Sequence, residues 1–136
     1  MVETVEVKTF KSQLLDGQYL VSKNLILLNE KLSQHERTET LKHELAHWRF
    51  YNQTRIGRSL RIFHNQLVFE AWAVLWIALW FVSPLGYLVA CAPFFIENIH
   101  EIAVSLKFPS RHSLIMSLGF NFLFLALFIA RCVMPF

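Results

Sequence analysis

Residues 71–96, AWAVLWIALWFVSPLGYLVACAPFFI, carry no charged side chain, and this run limits the possible folds more than any other feature. As a helix rising about 1.5 Å per residue it is long enough to cross a hydrocarbon layer roughly 30 Å thick. A second apolar run, residues 113–130, ends at Arg131 and is a candidate membrane helix despite Asn121. Thirteen Phe and four Trp exceed what the core of one 136-residue domain needs. Charged residues make up only 17%, against about 25% in soluble domains. The chain is therefore expected to sit in a membrane, with lipid as one partner.

Charge is concentrated upstream: ten of the thirteen Lys/Arg and seven of the ten Asp/Glu lie in residues 1–69. A net charge of +3 is too small and too scattered to suggest nucleic acid, and suits a basic surface facing anionic lipid better. Cys91 and Cys132 both lie in apolar stretches, which argues against a disulfide framework or a cysteine metal site. The opening MVETVEV has neither the basic start nor the apolar run of a signal peptide, so the first seventy residues are expected in the cytoplasm.

The polar half predicts an α+β unit. Alternation at Val5 and Val7 suggests a half-buried strand over about residues 2–10. Asp16-Gly17 marks a turn before a second strand at 18–21, and Ser22-Lys23-Asn24 turns the chain into a third at 25–29. The expected result is a small antiparallel sheet. Ser33 and Glu36 have capping-box spacing, and no helix breaker follows until about Asn52. Leu41, Leu45 and Trp48 give that helix a core-facing stripe. Gly57 should interrupt it, and Arg58–Phe69 is a further candidate helix, with Arg55, Arg58 and Arg61 near the membrane surface. Four segments are expected within one functional unit: 1–69, 70–96, 97–112 and 113–136.

His43-Glu44-Leu45-Ala46-His47 lies on the predicted capped helix and has the pattern HExxH. Four-residue spacing puts both imidazoles on one face, one turn apart, where they can grip a single zinc ion. Glu44 stands beside them as a general base for an attacking water. A catalytic zinc needs a third protein ligand and an open position. No His follows at HExxHxxGxxH spacing, so a carboxylate is expected, and only Glu70, Glu97 and Glu101 lie downstream. Glu97 is the first choice, with Glu70 and Glu101 as alternatives. Glu97 and Glu101 are one helical turn apart, so one could ligate while the other orients a ligand histidine.

LILLNEKLSQHERTETLKHELAHW and ENIHEIAVSLKFPSRHSLIMSL together resemble the membrane-bound gluzincin metallopeptidases typified by the heat-shock membrane protease and the CAAX prenyl protease. The resemblance covers roughly residues 18–120, with HELAH its specific part. It implies a short sheet before the HExxH helix, apolar segments after it, and a glutamate ligand from an ExxAD-like motif. Glu97 would hold the ligand position and Glu101 the Asp position. His100-Glu101 replaces Ala-Asp, and no pair of N-terminal membrane helices precedes the motif, so the likeness is to a minimal version. A second resemblance, to small soluble gluzincins, would make Glu70 the ligand.

Topology bears on the choice. A single crossing by residues 71–96 would leave Glu97 on the far side from HExxH. A hairpin broken at Pro84-Leu85-Gly86 returns it, and puts twelve of thirteen basic residues on one side, as the positive-inside tendency favours.

The expected activity is hydrolysis of a peptide or protein substrate by zinc-activated water with Glu44 as base, in an integral membrane protein whose catalytic part faces the cytoplasm. Oxyanion donors would come from His100, Arg111 or His112. The strand at Leu25–Asn29, if it is an edge, could pair with an extended substrate. His35 and His64 read as solvated histidines. Trp72, Trp76 and Trp80 share one face, for packing and lipid contact. The short membrane segments leave surface for a homo-oligomer. The competing class is an inactive zincin scaffold serving as a membrane interaction protein. A channel subunit has little support, since the apolar segments hold no charge.

Overall fold

The computed structural model describes residues 4–108 and 111–133, with the side chains of 111–113 outside that description. Three short strands, β1 (Glu6–Phe10), β2 (Gly17–Leu20) and β3 (Leu25–Asn29), precede the helices α1 (Gln34–Gln53), α2 (Arg55–Leu60), α3 (Gln66–Val82), α4 (Pro84–Lys107) and α5 (Arg111–Val133). The fold is α+β and mostly helical.

The sheet is mixed rather than antiparallel. Its order is β1-β3-β2, with β3 antiparallel to β2 and parallel to β1. The connection after β1 crosses the end of β3 instead of folding back as a hairpin. Buried Asn29 holds it there, its side-chain amide donating to the carbonyls of Ser12 (3.0 Å) and Leu15 (2.8 Å). The Leu25–Asn29 strand is thus paired on both sides and is not an edge. Asn24, in the left-handed region at φ 50°, turns the chain into β3.

Alternation along β3 sends Ile26 and Leu28 into a core with Tyr19, Val21, Tyr51 and Leu60, against which Leu41, Leu45 and Trp48 of α1 pack. Burying each of those two β3 side chains contributes about 1.5–3 kcal/mol. α1 packs across β2 and β3. Much of β1 stays exposed, and Val7 is 44% accessible rather than half-buried in a core.

Helix ends follow local chemistry. Ser33 Oγ accepts from the Glu36 amide (3.3 Å) and Glu36 accepts from the Ser33 amide (2.9 Å), completing the capping box. Thr54 ends α1 and caps α2 through the Gly57 amide. A Cβ at Gly57 would stand 2.0 Å from the Phe50 carbonyl oxygen, so only glycine permits this approach of two helix ends. The helix expected over 58–69 is divided: α2 ends at Leu60, a 3-10 turn covers Arg61–His64, and Asn65 caps α3. The Arg55–His64 segment meets α3 at 89°.

Ser83 breaks the apolar run. Its backbone is extended, its hydroxyl caps α4 at Gly86, and Pro84 occupies the first turn where its missing N–H costs nothing. α3 and α4 form an antiparallel hairpin, and α5 packs against it. Trp72 and Trp76 stack at 5.8 Å, Trp72 meets Phe94 at 4.5 Å, Trp80 meets Tyr87 at 5.0 Å, and Trp76 meets Phe124 at 5.6 Å. The tryptophan stripe is therefore mainly internal packing. Arg131 donates to the Trp80 and Phe81 carbonyls, placing a cation on the C-terminal end of α3.

Two helical spans, Pro84–Lys107 and Leu114–Val133, are long and apolar enough to cross a membrane. Only 22% and 17% of their most apolar windows are buried within the protein, so most of those side chains face outward. This fits membrane association.

Candidate metal centre

The centre is built where the last turns of α4 return to α1. Four-residue spacing brings His43 and His47 to one face of α1, with their Nε2 atoms 3.0 Å apart. Glu101 of α4 meets both: Oε1 lies 3.3 Å from His43 Nε2 and Oε2 lies 3.0 Å from His47 Nε2. Among the described residues these three form a group that could hold a metal ion, their ligand atoms all within 4.8 Å of one another. Ligands about 2.0–2.2 Å from a tetrahedral ion stand about 3.3–3.6 Å apart. The observed separations are close to that spacing, and the donor set of two imidazoles and a carboxylate suits zinc or a similar divalent metal.

α4 also orients the ligands. His43 Nδ1 lies 3.4 Å from the Phe108 carbonyl, and a proton donated there leaves Nε2 free to ligate. Ser105, buried one turn beyond Glu101, donates its hydroxyl to Glu101 Oε1 at 3.1 Å. Burial alone would lower the His43 pKa, but the Glu101 hydrogen bond and the charges of Glu44 and Glu101 outweigh it and hold the imidazole above its ordinary value.

Glu44 is buried between α1 and the edge strand β2. Burial raises its pKa; His47 and His43, with the Tyr19 backbone N–H that donates to its carboxylate, oppose the shift without cancelling it. The approach is close: a Cβ at Gly17 would stand 3.2 Å from Glu44 Oε1 and 2.5 Å from Thr40 Cγ2.

The other expected ligands lie elsewhere. Glu97, the first choice, faces His64 Nε2 at 3.2 Å and accepts from the Tyr51 hydroxyl, whose pKa is raised by burial and then by the Glu97 charge. The carboxylate meeting the histidine pair is instead the next one along the same helix face. His64 is exposed, as expected, and also takes part in this second cluster, packing edge-on to Tyr51 at 4.9 Å. Glu70 is exposed in the first turns of α3, accepting from Gln66 at 2.9 Å. His100 stacks on Phe50 at 3.9 Å and lies 5.1 Å from His47, its Nε2 buried with no hydrogen-bond partner among the described residues. The side chains of Arg111 and His112 lie outside the described residues.

Sequence reasoning did not single out Ser105 and Phe108. The spacing Glu101-to-Ser105 repeats that of Glu97-to-Glu101, and would have been the available signal had Glu101 been taken as ligand. No family model, curated protein or solved structure matches this chain.

Proposed function

We propose that this chain is a membrane-associated, zinc-dependent endopeptidase of the gluzincin type, with His43, His47 and Glu101 as metal ligands and Glu44 as general base. The observation that carries the reading is the convergence of Glu101, from an apolar helix, on the two histidines of HExxH. The resemblance to the membrane-bound gluzincins is part of this proposal, with Glu101 taking the ligand position first assigned to Glu97. Ser105 then stands four residues on, where that family carries its Asp.

Bound zinc would supply Lewis acidity and lower the pKa of a water. Glu44 takes the proton from the attacking water and delivers it to the leaving amine. Its buried setting beside β2 raises its proton affinity above that of a solvated carboxylate. The outer edge of β2, which packs directly against the motif helix, is the sheet edge on which an extended peptide can pair beyond the Tyr19 amide that Glu44 already takes. Phe108 and Ser105 hold His43 and Glu101 in register. His100, whose ring centre lies 5.1 Å from that of His47 and whose Nε2 has no hydrogen-bond partner among the described residues, is a candidate donor to the oxyanion.

The competing reading is an inactive zincin scaffold that serves as a membrane interaction protein. Glu44→Gln separates the two. Peptide cleavage should disappear while one zinc per chain remains bound, as measured on purified protein in detergent. Equal cleavage by wild type and variant would refute the assignment of Glu44, and absence of cleavage by zinc-loaded wild type would favour the scaffold.

A further inference from the structure

Between Glu44 and Glu70 the chain carries four arginines and no acidic residue. Three of them, Arg55, Arg58 and Arg61, fall in the Arg55–His64 segment, which meets α3 at 89°. Arg61 is tied to α1, donating to Asn52 Oδ1 at 2.9 Å. Arg55 and Arg58 are exposed; one N–H of Arg58 reaches the Thr54 carbonyl at 3.3 Å, and neither side chain meets a carboxylate among the described residues. Ile56 and Ile62 on the same segment are also exposed. In the angle of this elbow Phe63, Leu67, Val68, Ala71, Trp72 and Leu75, all apolar, line an open groove of about 460 Å³. The far end of the elbow is fixed as well: His64 Nε2 lies 3.2 Å from Glu97, where α4 passes from apolar to polar sequence.

We propose that this elbow is a binding site for an anionic phospholipid, with Arg55 and Arg58 on its phosphate and one acyl chain in the groove along α3. With α3 along the bilayer normal, a segment at 89° to it lies in the plane of the headgroups. Read as one span with α3, the same segment would carry three arginines into hydrocarbon. Exposed arginine beside exposed isoleucine suits the headgroup boundary, with cation against phosphate and aliphatic carbon against the upper acyl chain. The groove is lined by carbon alone, so it offers a polar headgroup nothing and an acyl chain a surface that water solvates poorly. A zwitterionic lipid brings the same phosphate with an ammonium of its own, which the arginines repel, so the site prefers a net negative headgroup. The inference stands apart from the endopeptidase reading and holds whether or not the metal centre is catalytic.

Trp72, in the groove, is the reporter. The full chain is reconstituted in phosphatidylcholine vesicles that contain a minor share of either phosphatidylglycerol or phosphatidylcholine brominated at mid-chain. Quenching of Trp72 is read as the difference between wild type and Trp72→Phe. At low salt phosphatidylglycerol should bind about 25-fold more tightly than phosphatidylcholine, roughly fivefold for each arginine. Arg55→Gln together with Arg58→Gln should bring that ratio to within about threefold. Either change alone should lower it about fivefold, which keeps the test open if the double variant does not fold. Lys8→Gln together with Lys11→Gln removes the same charge from the sheet and should leave the ratio unchanged. Ala71→Phe, which fills the groove, should reduce Trp72 quenching by both lipids. Equal quenching by the two lipids overturns the proposal. So does a ratio that the arginine variants leave in place, or one that the lysine pair lowers as much, because net charge alone would then explain the preference. Undiminished quenching in Ala71→Phe overturns the placement of the acyl chain, and with it the site.

Discussion

Replacing Glu101 by Gln should weaken zinc binding far more than the same change at Glu97. Glu101 sets its two carboxylate oxygens 3.3 and 3.0 Å from the two Nε2 atoms, and among the described residues it is the one carboxylate in the group that could hold a metal ion. Four-ligand structural zinc sites bind with about 10–16 kcal/mol, or roughly 3–4 kcal/mol per ligand. Losing one ligand should therefore cost on the order of 10²- to 10³-fold in affinity. Glutamine keeps the size and one oxygen, so the loss reports charge and coordination rather than packing. Glu97 instead contacts His64 and Tyr51, neither of them in the histidine–Glu101 group, so Glu97→Gln should change affinity by no more than about threefold, below the roughly 10- to 100-fold of a group that orients a ligand. Competition against a chelator of known affinity, with zinc content per chain measured in parallel, gives both numbers. Far-UV circular dichroism checks that each variant keeps its helices. Wild-type affinity in Glu101→Gln, or a hundredfold loss in Glu97→Gln, would refute the assignment.

Ser105→Ala removes the hydroxyl that holds Glu101 Oε1, and should weaken zinc about 10- to 100-fold in the same assay. Gly57→Ala forces a Cβ against the Phe50 carbonyl and should cost about 2 kcal/mol or more, seen as a lower midpoint in thermal unfolding. The pH dependence of the metal-free protein should report Glu44. Burial raises its folded-state pKa above the ordinary 4.5, so folding binds this proton more tightly than the unfolded chain does. That stabilisation is complete below the ordinary value and is lost as pH rises through the raised one. Metal-free Glu44→Gln should lack this fall and gain relative stability with rising pH; parallel stability curves for the two proteins would contradict the burial argument.

The parts legible in the sequence are those set by near neighbours. Ser33 and Glu36 lie three residues apart, so their capping box is written into the chain, and it appears with both hydrogen bonds. The pairing of His43 with His47 follows from helix periodicity alone. Pro84 marks the break in the apolar run because proline has no N–H and fits a first helical turn. The sheet was less legible. Alternation and turn signals point to three strands, yet they say nothing about which edge of β3 receives β1, and the outcome depends on Asn29 reaching across to the Ser12 and Leu15 carbonyls.

The third ligand shows the limit most clearly. Glu97 and Glu101 occupy successive turns of one helix face, so local rules treat them alike. What separates them is how far α4 travels before it meets α1, a distance set by the break at Ser83, the aromatic contacts of Trp72, Trp76 and Trp80, and the seating of Phe108 against His43. The motif helix, its cap, the paired histidines and the apolar character of the helices that follow could be read from residue order alone, because each depends on residues within a few positions of one another. The sheet order, the neighbours of Glu44 and the meeting of Glu101 with the two histidines came from long-range packing. Each of these joins groups tens of residues apart, and their separation is governed by packing.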